Sequence, residues 1–430
     1  MFFFLKKMDD KQIYHIHFGP GKLGLGLVVP TFRGINGELN ATDQTIVVAR
    51  KNNQYKPIRQ TRKYDLRISH KDEESVRVID NIHLLYSDRR KDRQELYNYF
   101  TQPKCILITT AVARGIYDVL PQLLYGLERR WTNNILNNVY IVACENPPFS
   151  SDEIKRFLID EIRKRWRNNS KRKKLMLEQL ERVIFLNTVV DRICCVEPQV
   201  KDGKVVVSGV EKFSNWYVLG PKDRPNVIEE LTQFLPSSIA LVSSEEKFKF
   251  IERRKLLLVN GSHYILALYA LGNNIQTIQD VFNYPEEIKQ LQLMQAGFVL
   301  LLNQEAKRSK LDIEETKIKS LLEFKNQVNE RLQMGPSDNV NRVLHDLTNW
   351  KGEMSTLHTI LDKNILRAVT PVEKMLTIKR LVRQPEYAIA FVGFLVNFIK
   401  TLQKVVSSII QSQTKNNEKR SILSFFRKII

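Results

Sequence analysis

Apolar positions in the first half of the chain fall into short runs of strand length. Residues 12–18, 45–49, 104–112 and 139–146 read as buried strands, rich in β-branched and aromatic side chains. Residues 64–69 and 76–80 alternate and predict a small β-insertion. The breakers Pro147 and Pro148 precede a charged helical stretch over 151–180, and the apolar run 183–193 closes the first domain. Asp202-Gly203 carries a hairpin signal within 201–210, and Trp216-Tyr-Val-Leu reads as a last strand. From about residue 244 the apolar period becomes helical almost throughout, broken by the loop 333–338. The pattern predicts an α/β chain: a doubly wound sheet over 1–243, then a mostly α-helical C-terminal domain over 244–430.

Composition narrows this little. The chain has 430 residues, long enough for two cores, with ordinary hydrophobic (43%) and charged (27%) fractions. Cys105, Cys144, Cys194 and Cys195 form no C-x-x-C pair, which suits reduced thiols in a cytoplasmic protein. The first ten residues hold too short an apolar run for a signal peptide, and 388–399 is too short to span a bilayer. The net charge of +20 is densest at 163–174, where eight of twelve residues are basic. No nucleic-acid motif accompanies that cluster, so it reads as a solvated face. Salt-dependent nucleic-acid binding is the alternative it leaves open.

Chemistry enters at Gly19-Pro-Gly-Lys-Leu-Gly24, which follows the first strand and opens a helix. Gly19 permits the tight turn, Gly21 lets backbone approach a pyrophosphate, and Gly24 allows close helix–strand packing. That makes the sheet Rossmann-type and implies NAD or NADP. The second strand ends in Arg50-Lys51 where an NAD-binding unit usually places a carboxylate, so a 2′-phosphate, and hence NADP, is slightly favoured; an Arg50 that points to solvent, with looser ribose recognition, is the alternative. Thr109 and Thr110 end a strand that lines the nucleotide crevice. Asn187, Asp191 and Arg192 sit in an apolar run and must find partners. The Asp191–Arg192 pair suits a structural role; Asn187 is the better ligand candidate.

A second polar constellation lies in Glu252-Arg-Arg-Lys-Leu-Leu-Leu-Val-Asn-Gly-Ser-His263. At about 100° per residue, Lys255, Asn260 and His263 fall within an arc of roughly 140° and can face one cleft. A lysine in so apolar a setting is open to a lowered pKa and to work as a general base. A snorkelling lysine beside a hydrogen-bonded core histidine is the plainer alternative.

Taken together, His17-Phe-Gly-Pro-Gly-Lys-Leu-Gly24, Thr109-Thr-Ala-Val112, Ala143-Cys-Glu-Asn146, Asn187-Thr-Val-Val-Asp-Arg-Ile193 and Arg254-Lys-Leu-Leu-Leu-Val-Asn-Gly-Ser-His263 occur in one order. They resemble the mannitol dehydrogenase family of polyol-specific long-chain dehydrogenases, and most of all its mannitol-1-phosphate branch. The resemblance implies a Rossmann domain, a helical domain, an active site between them, and catalysis without a metal. It implies Lys255 as general base, Asn187 and Asn260 holding the reacting oxygen, His263 positioning substrate and Glu252 relaying the proton. Asn146, Arg342 and Lys351 would bind substrate. This chain departs from the pattern at Arg50, at Leu25 (often Arg), near Gly220 (a missing Asp), at Lys351 (one position late) and at Gly335-Pro336 (in place of Asn-Pro). The expected activity is hydride transfer between a nicotinamide cofactor and a sugar alcohol or sugar phosphate, such as a hexitol phosphate. A uronate reductase and a catalytically weak nucleotide-binding relative are the alternatives. No nucleic acid, metal or membrane partner is expected; the sequence leaves the oligomeric state open and is compatible with a monomer.

Overall fold

Five consecutive β-branched or small apolar residues with no polar alternation make a strand that must be covered on both faces, and Thr45–Ala49 is such a strand. In the computed structural model it lies inside a six-stranded parallel sheet. The structure describes residues 13–33, 44–71, 73–112, 115–145, 150–273, 275–340 and 342–343. The chain divides into two compact units, Met1–Glu252 and Arg253–Ile430.

The strands of the first unit, in order, are β1 (Tyr14–Phe18), β2 (Thr45–Ala49), β3 (Tyr64–His70), β4 (Glu73–Ile79) and β5 (Ile82–Tyr86). There follow β6 (Ile106–Thr110), β7 (Val139–Ala143), β8 (Ile184–Leu186), β9 (Thr188–Asp191), β10 (Gln199–Lys201), β11 (Lys204–Glu211), β12 (Asn215–Leu219) and β13 (Ile239–Val242). The central sheet runs β5-β2-β1-β6-β7-β8, all parallel, so the order reverses between β1 and β6. That reversal is where a doubly wound sheet opens a crevice at its carboxyl ends. Helices Arg90–Phe100, Ile116–Thr132, Ser150–Arg165 and Ser170–Leu180 cover one face and share a core with Ile16, Phe18, Ile106 and Ile108. The Rossmann-type α/β reading therefore holds.

Several local expectations are corrected. The stretch 151–180 is two helices, because Asn169 ends one turn and its side chain caps the next by accepting from the Arg172 N–H. The run 183–193 is two strands in different sheets: β8 closes the parallel sheet, and β9 joins β12 and β13. Trp216 does not begin the last strand, since helix Pro225–Phe234 leads into β13, parallel to β12. β5 was not foreseen at all. The hairpin β10–β11 pairs with the predicted insertion β3–β4 as one four-stranded sheet.

The described part of the second unit is helical almost throughout, as expected. It includes Ser262–Gly272, Pro285–Arg308 and Ile318–Met334. Among the described residues no helix is long and apolar enough to cross a membrane. The segment 388–399 lies outside the described residues.

Candidate functional site

The glycine loop follows β1 directly. Gly19 has φ +108°, and a Cβ there would collide with the Ala111 carbonyl at the end of β6. No L side chain suits that position. Gly24 packs against the Gly19 carbonyl and His17, so it too admits no Cβ, whereas a Cβ at Gly21 would meet only Glu197 Oε2, at 3.6 Å. The cradle is thus closed below and open at Gly21, the position where a pyrophosphate needs to approach backbone. This fits the phosphates of a dinucleotide.

The helix that begins here is wholly buried from Gly24 to Phe32. Leu25 and Val29 enter one core with β2, β3, β5 and β11; Leu27, Val28 and Phe32 enter another with β8 and β12. Its Gly24–Val28 portion is a π-turn, with the Val29 N–H bonded to the Gly24 carbonyl. Pro30 explains the widening, since it has no N–H and its ring crowds the carbonyl four residues back. The carbonyls four and five residues before it are met by side chains instead. Arg192 Nη1 donates to the Gly26 carbonyl at 3.0 Å, and the Tyr64 hydroxyl donates to the Leu25 carbonyl at 2.7 Å. Arg192 Nε also donates to the Glu211 carbonyl. Its role here is structural.

Beneath the loop runs a hydrogen-bond chain that the motif reading missed. His17 Nε2 lies 2.8 Å from the Gly19 carbonyl oxygen, which can only accept, so His17 carries its proton on Nε2. Its Nδ1 then accepts from the Thr109 hydroxyl at 2.8 Å. The Thr109 oxygen in turn accepts from His15 Nε2 at 2.8 Å, and His15 Nδ1 accepts from Thr45 at 3.2 Å. Every proton in the chain has one place. Burial holds both imidazoles neutral: it pushes His17 down to about 4 and His15 well below its ordinary value. Thr109 is therefore spent under the loop. Thr110 donates to Glu145 Oε1, which also accepts from the Val112 N–H. Asn146 lies outside the described residues.

Arg50 follows β2 and is 72% exposed, paired with Asp118 in the first turn of helix Ile116–Thr132. The neighbouring Lys51 N–H donates to Asp88 Oδ1 at 3.0 Å. Asn187 is buried between β8 and β9. Its Nδ2 donates to Asp152 Oδ2 at 2.7 Å, and its Oδ1 accepts from the Asp152 N–H. Ser151 Oγ, which donates to the Leu186 carbonyl, fixes that helix start against the strand ends. The basic cluster is exposed and partly answered, with Arg165 and Arg172 both on Glu128 and Lys174 beside Glu178.

In the second unit, Lys255–Gly261 is again a π-helix. The α-helical arc drawn from the sequence is corrected accordingly. Hydrogen bonding from i to i+5 brings residues five apart to nearly one turn, so Lys255 and Asn260 stand closer in angle than an α-helix allows. Lys255, Asn260 and His263 are half-buried, while Leu257, Leu258, Val259, Gly261, Ser262 and Tyr264 are buried. Glu252 is half-buried in the last turn of helix Glu245–Arg254. His263 Nε2 lies 3.0 Å from Asp338 Oδ2, and Arg342 donates from Nε and Nη2 to both oxygens of the same carboxylate. Asp338 is buried. Burial alone would raise its pKa, but His263 and Arg342 outweigh burial and hold the carboxyl well below its usual range. Lys351 lies outside the described residues.

Residues 13–229, half of the chain, match the family model described as the mannitol dehydrogenase Rossmann domain. The chain belongs to the mannitol dehydrogenase family. Among its relatives, the mannitol-1-phosphate 5-dehydrogenase of Geobacillus stearothermophilus is 27% identical over 267 residues, which cover 62% of this chain and 61% of that one. The namesake from Lacticaseibacillus casei is 26% identical over 337 residues, 76% of each chain. The chain thus spans about three fifths of the length of the first of these relatives. Two solved structures share the mannitol dehydrogenase fold. Pseudomonas fluorescens mannitol 2-dehydrogenase, in ternary complex with NAD and D-mannitol, gives a TM-score of 0.56 at 14% identity, covering 94% of this chain and 95% of that one. D-sorbitol dehydrogenase in substrate-free form gives 0.58 at 14% identity, with 94% of each covered.

Proposed function

We propose that this mannitol dehydrogenase family member is a nicotinamide-dependent polyol dehydrogenase. It interconverts a sugar alcohol, in first place a hexitol phosphate such as mannitol 1-phosphate, with the ketose, here fructose 6-phosphate. The observation that carries the reading is that Lys255 and Asn260 are half-buried on a π-helical run whose Leu257, Leu258, Val259 and Gly261 are buried, with His263 half-buried one turn on. A π-turn is a costly local choice that recurs at functional sites. The relatives' names point to the same substrate class.

The first unit would bind the nucleotide and the second the substrate. Gly19, Gly21 and Gly24 would cradle the phosphates, with Thr109 and Thr110 supporting the strand end beside them. The bound nicotinamide supplies the hydride chemistry. The protein's own residues do the rest. Lys255 Nζ takes the alcohol proton in oxidation and returns it in reduction. Asn187 and Asn260 donate to the reacting oxygen and stabilise its developing charge. His263, Arg342, Asn146 and Lys351 hold the remaining hydroxyls or the phosphate, and Glu252 passes the proton towards solvent. No metal takes part. Arg50 favours NADP over NAD, because its exposed pairing with Asp118 is worth at most about 1 kcal/mol and yields to a 2′-phosphate.

Titration with NADH and NADPH, followed by addition of fructose 6-phosphate, tests the proposal. Oxidation of either cofactor is the expected result. Binding without turnover redirects the search to uronates, and failure to bind either cofactor removes the reading.

A further inference from the structure

Two of the proposed substrate-binding side chains, His263 and Arg342, converge on one carboxylate that no motif singled out. Asp338 is 1% exposed, with His263 Nε2 3.0 Å from Oδ2 and Arg342 donating to both oxygens. Its own position is held from the far side. The Gln279 side chain accepts from the Asp338 N–H at 2.9 Å and donates to the Pro336 carbonyl at 2.8 Å, and the Asp338 carbonyl accepts from the Ile278 N–H at 2.9 Å. So the loop after helix Ile318–Met334 is gripped by its backbone, and its one buried carboxylate faces the two donors.

We propose that Asp338 is a positioning residue for polyol binding, orienting His263 and Arg342 together. This rests on the reading of those two residues as substrate-binding. Asp338 Oδ2 stands 3.0 Å from His263 Nε2, out of line for a hydrogen bond, so its negative charge favours a proton on that nitrogen and leaves Nδ1 to accept from a substrate hydroxyl. The same carboxylate fixes the plane of the Arg342 guanidinium through two parallel donors. It also neutralises the arginine's charge. The pair therefore offers oriented hydrogen bonds to neutral hydroxyls of the polyol chain rather than an unbalanced cation for its phosphate.

The test compares Asp338→Asn, His263→Asn, Arg342→Gln and the corresponding triple variant, using fructose 6-phosphate with the preferred nicotinamide cofactor. Asp338→Asn is expected to raise KM for the sugar on the order of 10- to 100-fold, the loss typical of a hydrogen bond to a charged group. Cofactor Kd should not change. On the His263→Asn, Arg342→Gln background it should add little, because Asp338 acts only through them. If the two single variants raise KM and Asp338→Asn does not, or if its effect is fully additive, the positioning role is overturned while the functional reading stands. If neither single variant alters KM, the reading itself fails. Should Asp338→Asn not fold, Gln279→Ala, which loosens the loop and keeps the carboxylate, should raise KM in the same direction; an unchanged KM there overturns the role.

Discussion

His17 Nε2 donates to the Gly19 carbonyl oxygen across 2.8 Å, and through that bond the glycine loop rests on a proton-ordered chain reaching back to Thr45. The loop's geometry is thus set by side chains inside the sheet as well as by its glycines. Thr109 is the link between the two imidazoles. Thr109→Val would orphan His17 Nδ1 and His15 Nε2 together, at about 1–3 kcal/mol for each buried atom. We expect a lower melting temperature and weaker nicotinamide binding, with Thr109→Ser close to wild type. Equal behaviour of the two variants in calorimetry and cofactor titration would dissolve the chain.

The same chain predicts a pH dependence. Burial lowers His17 from 6.5 to about 4 and moves His15 the same way, so the unfolded chain binds more protons in that interval. Stability is complete above the unfolded value, falls as pH drops from 6.5 towards 4, and levels below the folded value. For His17 the full loss is about 3 kcal/mol. Urea unfolding at pH 7.5, 6 and 5 should give a declining stability, with a shallower decline in His17→Gln. A stability that holds or rises on acidification counts against the assignment.

Arg192 and Pro30 are predicted to be energetically coupled. Arg192→Met withdraws the donor from the Gly26 and Glu211 carbonyls and should cost several kcal/mol, about 1–3 for each buried acceptor. Pro30→Ala returns a backbone N–H to that turn, so it should recover part of the loss on the Arg192→Met background and little on its own. A double-mutant cycle by denaturant unfolding reads this directly; additive effects would mean that the π-turn does not depend on the arginine.

Cofactor choice is predicted to respond at Asp118. Asp118→Ala releases Arg50 and should tighten NADPH relative to NADH by a few-fold, as expected for an exposed pair worth at most about 1 kcal/mol. An unchanged ratio of dissociation constants in paired fluorescence titrations would remove Arg50 from ribose recognition.

Much of this was legible along the chain. Gly19 and Gly24 announced themselves because only glycine fits a positive φ or a backbone in van der Waals contact, and those constraints act within a few residues. β2 and β7 were readable because strands buried on both faces leave nearly unbroken apolar runs, and β1 and β6 because β-branched and aromatic residues dominate them despite His15, His17, Thr109 and Thr110. β5 and β13 were not. Ile82–Tyr86 follows the insertion after a two-residue turn, and Ile239–Val242 is a four-residue edge strand, so neither stands out from its surroundings. Within the run 183–193 the change of sheet at Asn187 leaves the apolar pattern intact, so the pattern carries no sign of it. Partners were least legible. That Tyr64 serves Leu25, that Asp152 holds Asn187 and that Asp338 joins His263 to Arg342 are matters of tertiary placement, and spacing carries no trace of them. The π-helix at Lys255 was likewise hidden, since an α-helical period accommodates the same apolar residues.

The most direct test of the central claim is Lys255→Ala, assayed for fructose 6-phosphate-dependent oxidation of NADH or NADPH alongside cofactor titration. The account predicts a fall in kcat of about 10²-fold or more, the scale of general acid–base catalysis, with cofactor Kd unchanged. A variant that binds cofactor and turns over like wild type would contradict the assignment of Lys255 as the base.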